Sequence, residues 1–262
     1  MSPNPILVVR REIGRYFSAQ QFLTRLPCPP ATPFAPSDLA ASVAWFGMVG
    51  IPVGVVVGGV GLGLRSVVAP TFAAILAIAA GAIVTGAFHE DGFADTCDAF
   101  GGYSSVRRRE IMRDSRVGTF GALGLIVLFA AKVSALGIVL VGSSGWRVVL
   151  VAIGAHTISR AATVLAIRFV PPVLDPTSKT QSYTVTWPRF TTALLVPAIP
   201  LAATIFRWDA AIIAGAAVLV VEGARPFFRR FTDGISGDGL GAINQVVEVV
   251  VWAVAARQAL GR

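Results

Sequence analysis

The chain carries a series of apolar runs of about 16–23 residues, each close to the length an α-helix needs to cross a hydrocarbon core. They fall at 45–63, 70–88, 120–141, 147–169, 190–206, 208–223 and 239–257. In lipid, every backbone N–H and C=O must be satisfied within the protein, which leaves helices as the outcome for isolated runs of this kind. The spacing therefore predicts an all-α polytopic membrane bundle of about six or seven spans. The runs at 190–206 and 208–223 are short and divided only by Arg207-Trp208-Asp209, so a re-entrant pair or one broken helix would fit there as well. Composition agrees: 55% of the 262 residues are hydrophobic and only 14% are charged, with a mean hydropathy of +0.72. That is too apolar for an ordinary water-soluble domain.

Orientation follows from the basic residues, because cytoplasmic loops carry the excess of Lys and Arg. With the N-terminal arm (Arg10, Arg11, Arg15, Arg25) in the cytoplasm, three further basic segments share its side: Arg107 to Arg116, Arg168 to Arg189, and Arg225 to Arg230. Fifteen Lys and Arg then face three, Arg65, Arg147 and Arg207, on the other side. Arg257 and Arg262 oppose this orientation if there are seven spans. The net charge of +8 is mostly this bias, although attraction of polyanionic substrates is compatible with it. No nucleic-acid-binding motif accompanies the charge, so no nucleic acid is expected as a partner. Residues 1–44 lack the apolar core of a signal peptide. Within them Ile6, Val9, Ile13, Phe17 and Phe22 recur at nearly helical spacing beside arginines, which suits an interfacial amphipathic segment ahead of a Pro-rich link. Cys28 and Cys97 both fall on the reducing side, and no disulfide is expected. No repeat or domain break appears, so residues 1–262 read as one integral membrane domain, with 89–119 as its cytoplasmic catalytic region.

Chemistry concentrates just after the second run, in His89-Glu90-Asp91-Gly92-Phe93-Ala94-Asp95-Thr96-Cys97-Asp98. In a helix, positions i, i+4 and i+7 project from one stripe, so Asp91, Asp95 and Asp98 would repel one another unless a cation binds them. Oxygen-only ligation suits a hard divalent ion, above all Mg²⁺, which shares its shell with water and substrate phosphates. A solvated, acidic helix start would explain one such aspartate but not three. Gly92 is small enough for close ligand approach. His89 lies elsewhere on the wheel and reaches the stripe only if the helix begins at Asp91.

A basic segment follows. Arg109, Arg113 and Arg116 repeat the i, i+4, i+7 spacing, and guanidinium forks match phosphate oxygens. Arg107 and Arg108 read better as simple cytoplasmic anchors. Asp114 could complete a metal site or pair with the arginines, while Gly118 and Gly121 suggest a flexible lead-in to the third run. Inside the membrane, His156, Ser159 and Arg160 in the fourth run and Lys132 in the third are expensive unless they face a polar interior. Arg160 is therefore expected to face the active cavity. Finally, Gly237-Asp238-Gly239-Leu240-Gly241, with Asn244 and Glu248 one turn apart beyond it, suggests a second wall of the site.

These pieces resemble the cobalamin synthase family, the adenosylcobinamide-GDP ribazoletransferases. The resemblance rests on Phe22-Leu23-Thr24-Arg25-Leu26-Pro27, the His89 to Asp98 segment, Ile111-Met112-Arg113-Asp114-Ser115-Arg116-x-Gly118-Thr119, Ser159-Arg160, and Gly237-Asp238-x-Leu240-Gly241-Ala242 with Glu248. It implies an Mg²⁺-dependent transferase of the cytoplasmic (inner) membrane of a prokaryote, with its active site facing the cytoplasm. The enzyme would join adenosylcobinamide-GDP to α-ribazole or its 5′-phosphate and release GMP.

On that resemblance Asp91, Asp95 and Asp98 would hold Mg²⁺, and Arg109, Arg113, Arg116 and Arg160 would contact phosphate. His89 or Asp114 could relieve the nucleophile of its proton, with Asp238 a further base or metal ligand. Gly92, Ser159, Gly237, Asn244 and Glu248 would support the site wall. Membrane lipid is the expected surrounding, and homo-oligomer formation is left open. Two other classes fit the motifs less well. A CDP-alcohol phosphotransferase performs the same displacement, but its Asp-Gly-x-x-Ala-Arg pattern differs from Asp91-Gly92-x-Ala94-Asp95. A cation-coupled transporter would show two related halves, and none is evident.

Overall fold

The computed structural model describes residues 5–32, 35–174, 191, 198–202 and 208–261. Among these there is no strand, only an isolated bridge between Pro172 and Ile235. The helices are α1 (Pro5–Leu23), α2 (Pro36–Ser42), α3 (Phe46–Leu64), α4 (Pro70–Thr85), α5 (Phe88–Asp98), α6 (Ser105–Met112), α7 (Thr119–Gly142), α8 (Gly145–Phe169), α9 (Ala198–Leu201), α10 (Asp209–Phe231) and α11 (Gly237–Leu260). Five helical stretches, ending in α3, α7, α8, α10 and α11, are long and apolar enough to span a membrane, and α4 with α5 makes a sixth if the bent pair counts as one. The protein is thus an all-α polytopic membrane bundle. Leu123, Ile126 and Val127 on α7 and Ile212 and Leu219 on α10 are exposed, as lipid-facing side chains would be.

The bundle is built around α8, whose residues from Val151 to Val164 are buried without interruption. A helix buried on every side must be central. Close approach by α3 makes this feasible: Gly50, Gly54 and Gly58 form a small-residue ridge, and a Cβ at Gly58 would sit 2.5 Å from Val149 Cα. Between apolar helices in lipid such ridges supply the packing that the hydrophobic effect does not. The mostly buried α11 closes the other side, burying Val247, Val251 and Trp252 in the core shared with Val151, Ala155 and Ile158 of α8.

Three expectations change here. The run at 70–88 ends at Thr85, because Gly86 (φ +65°) and Ala87 (φ +56°) take left-handed conformations. The chain then turns through 93° into α5, which starts at Phe88 and so does not allow His89 the late helix start that would aim it at Asp91. The run at 208–223 continues to Phe231 through Pro226. Phe228 and Phe231 bury there, and Arg229 and Arg230 sit in the last turn, where the helix dipole favours cations. The run at 190–206 lies mostly outside the described residues. At the N-terminus, Ile6, Leu7, Val9 and Ile13 of α1 are exposed, whereas Ala19 and Leu23 pack with Phe46, Val49 and Val164.

The two ends of the bundle differ. At one end Asp209 meets Arg257 and Gln258, and Arg147 donates to Gln258 at 2.5 Å. At the other Arg25 N–H donates to Val84 C=O at 2.7 Å, and Val173 N–H to Ile235 C=O at 3.0 Å. Residue 173 thus pairs with 235 and residue 209 with 257, at opposite ends of α11.

Candidate functional site

The sharp turn at Gly86-Ala87 sends α5 across the end of the bundle, so that its two faces meet different surroundings. Asp91 is exposed and Asp95 half-buried, while His89, Glu90 and Asp98 are buried. The start of α11 crosses this helix at glycines on both sides. A Cβ at Gly92 would lie 2.8 Å from Asp238 Cα, and one at Gly241 would lie 3.2 Å from His89 C=O. Glycine at 92 is therefore what admits the backbone of Asp238 beside the aspartate stripe. Ser236 caps α11 by accepting from Gly239 N–H at 3.2 Å, and its hydroxyl donates to Asp238 Oδ2 at 3.4 Å. Asp95 feels the charges of Asp238, Asp91 and Asp98. Asp91 and Asp95 have no cationic partner among the described residues. Among those residues no three His, Cys, Asp or Glu groups already converge in metal-holding geometry.

Asp98 does other work. Its carboxylate accepts from Gly118 N–H at 2.7 Å and Gly121 N–H at 2.8 Å, capping α7 from twenty residues upstream. Unpaired amides and the positive end of the dipole make a helix start a good place for a carboxylate. Gly118 and Gly121, expected as a flexible lead-in, are instead small because the Asp98 carboxylate packs directly on them.

The arginines divide in the same way. The expected stripe is broken, since α6 ends at Met112 and Arg113 and Arg116 lie beyond it. The break comes from Asp114, whose Oδ1 accepts Arg116 N–H at 3.1 Å and whose carboxylate also takes the Arg116 guanidinium, at 2.6 Å to Nη2. These bonds to Arg116 hold the Asp114 carboxyl down at about 2. Arg109, expected at phosphate, reaches Thr232 C=O at 3.0 Å and pairs with Asp233. Arg108 donates to Gly102 C=O at 2.9 Å and lies 4.5 Å from the centre of the Phe231 ring. Both therefore fasten α6 to the end of α10. Hydrogen bonds from Ser105 and then Arg109 hold Asp233 below the usual carboxylate range.

Beneath the aspartates lies a buried polar network. Lys132, 1% exposed, pairs with Glu248 at 2.9 Å and Glu90 at 3.4 Å and hydrogen bonds to Gln245. Gln245 Nε2 donates to Glu90 Oε1 at 3.3 Å, and His156 Nδ1 lies 3.4 Å from Glu248 Oε2. Arg160 donates to His156 C=O at 2.9 Å, Ser159 Oγ to the same carbonyl at 3.3 Å, and Asn244 to Thr163 Oγ1 at 3.4 Å. Arg160 borders cavities of about 10 and 30 Å³, the larger reaching Gly237. Asn244 and Glu248, expected in the site wall, sit deeper: ten residues of helix put Glu248 about 15 Å along α11 from Asp238. His89 faces this interior as well, lining both cavities.

The sequence reading passed over Glu90, Gln245 and the Gly50/Gly54/Gly58 ridge. The glycine spacing was readable as a helix-packing motif, whereas the partners of Glu90 come from α7 and α11 and carry no local signal.

The chain matches the model of the family described as Cobalamin-5-phosphate synthase over residues 15–256. Relatives named adenosylcobinamide-GDP ribazoletransferase include one from Azorhizobium caulinodans, 34% identical, covering 88% of this chain and 91% of the relative. One from Leptothrix cholodnii is 35% identical, with coverages of 92% and 94%. One from Bradyrhizobium diazoefficiens is 34% identical over 97% of both. No solved structure matches.

Proposed function

Because the chain belongs to the cobalamin-5-phosphate synthase family, a family of transferases of cobalamin biosynthesis, we propose that it joins adenosylcobinamide-GDP to α-ribazole or α-ribazole 5′-phosphate. A free ribose hydroxyl oxygen of the nucleoside forms a bond to the cobinamide-proximal phosphorus, the bond from that phosphorus to the bridging oxygen breaks, the hydroxyl proton passes to a carboxylate, and GMP leaves. The observation that carries this reading is the approach of Asp238 to Asp91 and Asp95 across Gly92. It brings Asp238 to the end of α5 that carries Asp91 and Asp95, and none of the three has a cationic partner among the described residues.

That donor set fits a hard divalent ion, which needs only one or two carboxylates when substrate phosphates complete its shell. Asp91 and Asp95 would hold Mg²⁺. When bound, the ion would neutralise charge on the diphosphate, the main demand of phosphoryl transfer. Asp98 contributes by fixing α5 against α7. Asp238, whose carboxylate accepts from Ser236, is placed to accept the proton of the ribazole hydroxyl. Asp114 is a weaker base, because a carboxyl held near 2 has little affinity for a proton at neutral pH. Its bidentate grip instead presents Arg116 to the diphosphate, together with Arg113. Fifteen basic residues on the side assigned to the site support a cytoplasmic-facing site in a prokaryotic inner membrane.

The test is to incubate the purified protein in lipid with adenosylcobinamide-GDP, either form of the nucleoside, and Mg²⁺, and to separate the products. GMP and a cobalamin in equal amounts are expected. Turnover of a CDP-alcohol substrate in their place would replace this reading.

A further inference from the structure

A second feature lies beside the carboxylate site and is used by nothing described so far. A cavity of about 790 Å³ opens between the chain that follows α8 and the last turns of α10. Its lining includes Arg225, Arg229, Arg230, Pro172, Asp233 and Gly234. The volume is within the range of small-molecule pockets. Its frame is fixed: Ile235 N–H donates to Pro171 C=O at 2.9 Å, Val173 N–H donates to Ile235 C=O at 3.0 Å, and Gly234 (φ +140°) packs on Pro172.

Arg225 and Arg229 are one turn apart on the same face, an arrangement that is unfavourable for like charges. Neither they nor Arg230 has an ion pair or side-chain hydrogen bond among the described residues. The nearby arginines differ, since Arg108 holds carbonyls of Gly102 and Phe231 and Arg109 holds Asp233. Asp233, the one carboxylate among the cavity residues named, is engaged by Arg109 and Ser105. Three exposed guanidiniums without an ion-pair partner among the described residues therefore line one ligand-sized space, Arg230 at the border with a second cavity beside Arg108. Arginines that merely anchor a helix end in headgroups need no such cavity.

We propose that this cavity binds a phosphate-bearing ligand through Arg225, Arg229 and Arg230. Guanidinium forks recognise phosphate oxygens by paired, charge-assisted hydrogen bonds. Two sources offer that chemistry here, a nucleotide and an anionic lipid headgroup. The site stands on its own geometry, and the proposed reaction only suggests GMP as the nucleotide probe.

The experiment uses the full chain in zwitterionic nanodiscs with EDTA, so that the carboxylates contribute no metal-mediated binding. GMP is titrated by equilibrium dialysis, and short-chain phosphatidylglycerol is titrated in a parallel arm. Binding is compared with the triple variant Arg225→Gln/Arg229→Gln/Arg230→Gln and with the corresponding triple Lys variant, which keeps the charge. At least one probe should bind the wild type and lose about tenfold or more in affinity in the Gln variant, with partial retention in the Lys variant. Loss confined to GMP identifies a nucleotide site, and loss confined to phosphatidylglycerol a lipid site. No binding to the wild type, or equal binding to wild type and Gln variant, overturns the proposal. Because no turnover is measured, either result leaves the test of the reaction independent.

Discussion

Asp98 and Asp114 show how similar carboxylates in one segment acquire different tasks. Asp98 takes the first amides of α7, so Asp98→Ala should lower stability by about 1–2 kcal/mol, read as a lower unfolding temperature in detergent. If stability were unchanged, the cap would contribute nothing. Asp114 is held at about 2 by Arg116. A carboxyl depressed in the folded state gives its contribution above its ordinary titration range and loses it as pH falls through the folded value. The Asp114–Arg116 pair should thus persist from neutral pH down to about pH 3, with an NMR carboxyl midpoint near 2 that returns to about 4 in Arg116→Gln. A midpoint near 4 in the wild type would break the assignment. Pairing with the arginines was one of two readings that the position of Asp114 offered, whereas the task of Asp98 was not legible in sequence. The stripe Asp91, Asp95, Asp98 is a true helical face, but the partners of Asp98 lie twenty residues on and meet it only through tertiary folding. Arg109 likewise fits a phosphate-binding spacing, and is drawn away by the carbonyl end of α10.

At the scale of elements, the ionisable groups expected inside the membrane do meet, as one network that ties α5 to α7, α8 and α11. Lys132 sits between Glu248 and Glu90. Removing it takes from two buried carboxylates the cation they share, so Lys132→Met should destabilise by about 3–5 kcal/mol. Adding Glu248→Gln should recover part of that loss in a double-mutant cycle. Strict additivity would show that the pair does not interact. Glu90 is next to Asp91 in α5, so loss of the pair should also loosen the helix that presents the aspartates. The spans were readable because apolar runs report burial in lipid directly. The end of α4 was not, since the residues around Gly86-Ala87 are as apolar as the run before them and only the backbone turn separates the helices. The α3 ridge was readable in principle, and Gly54→Leu should disrupt packing on Ile153.

For the whole molecule, the two ends carry different chemistry. The carboxylates, the α6 clamp and the Arg225/Arg229/Arg230 cavity share one end, and Asp209, Arg257 and Gln258 close the other. Arg257, with Arg262, opposes the orientation read from the sequence if there are seven spans. Its pairing with Asp209 offsets its charge at the far end. The N-terminal arm and the C-terminus should therefore lie on opposite sides of the membrane. A fluorescent reporter at the N-terminus and an alkaline phosphatase reporter at the C-terminus should both be active, and activity of a C-terminal reporter that functions only in the cytoplasm would contradict that topology.

Asp91, Asp95 and Asp238 are proposed as the reaction centre, at the cytoplasmic end. The most direct test titrates Mg²⁺ while following GMP release from adenosylcobinamide-GDP and α-ribazole by wild-type protein and by Asp95→Asn. The account predicts saturable Mg²⁺ dependence in the wild type, and loss of about a hundredfold or more in turnover in a variant that keeps its unfolding temperature. Near-normal, Mg²⁺-dependent turnover by Asp95→Asn would contradict it.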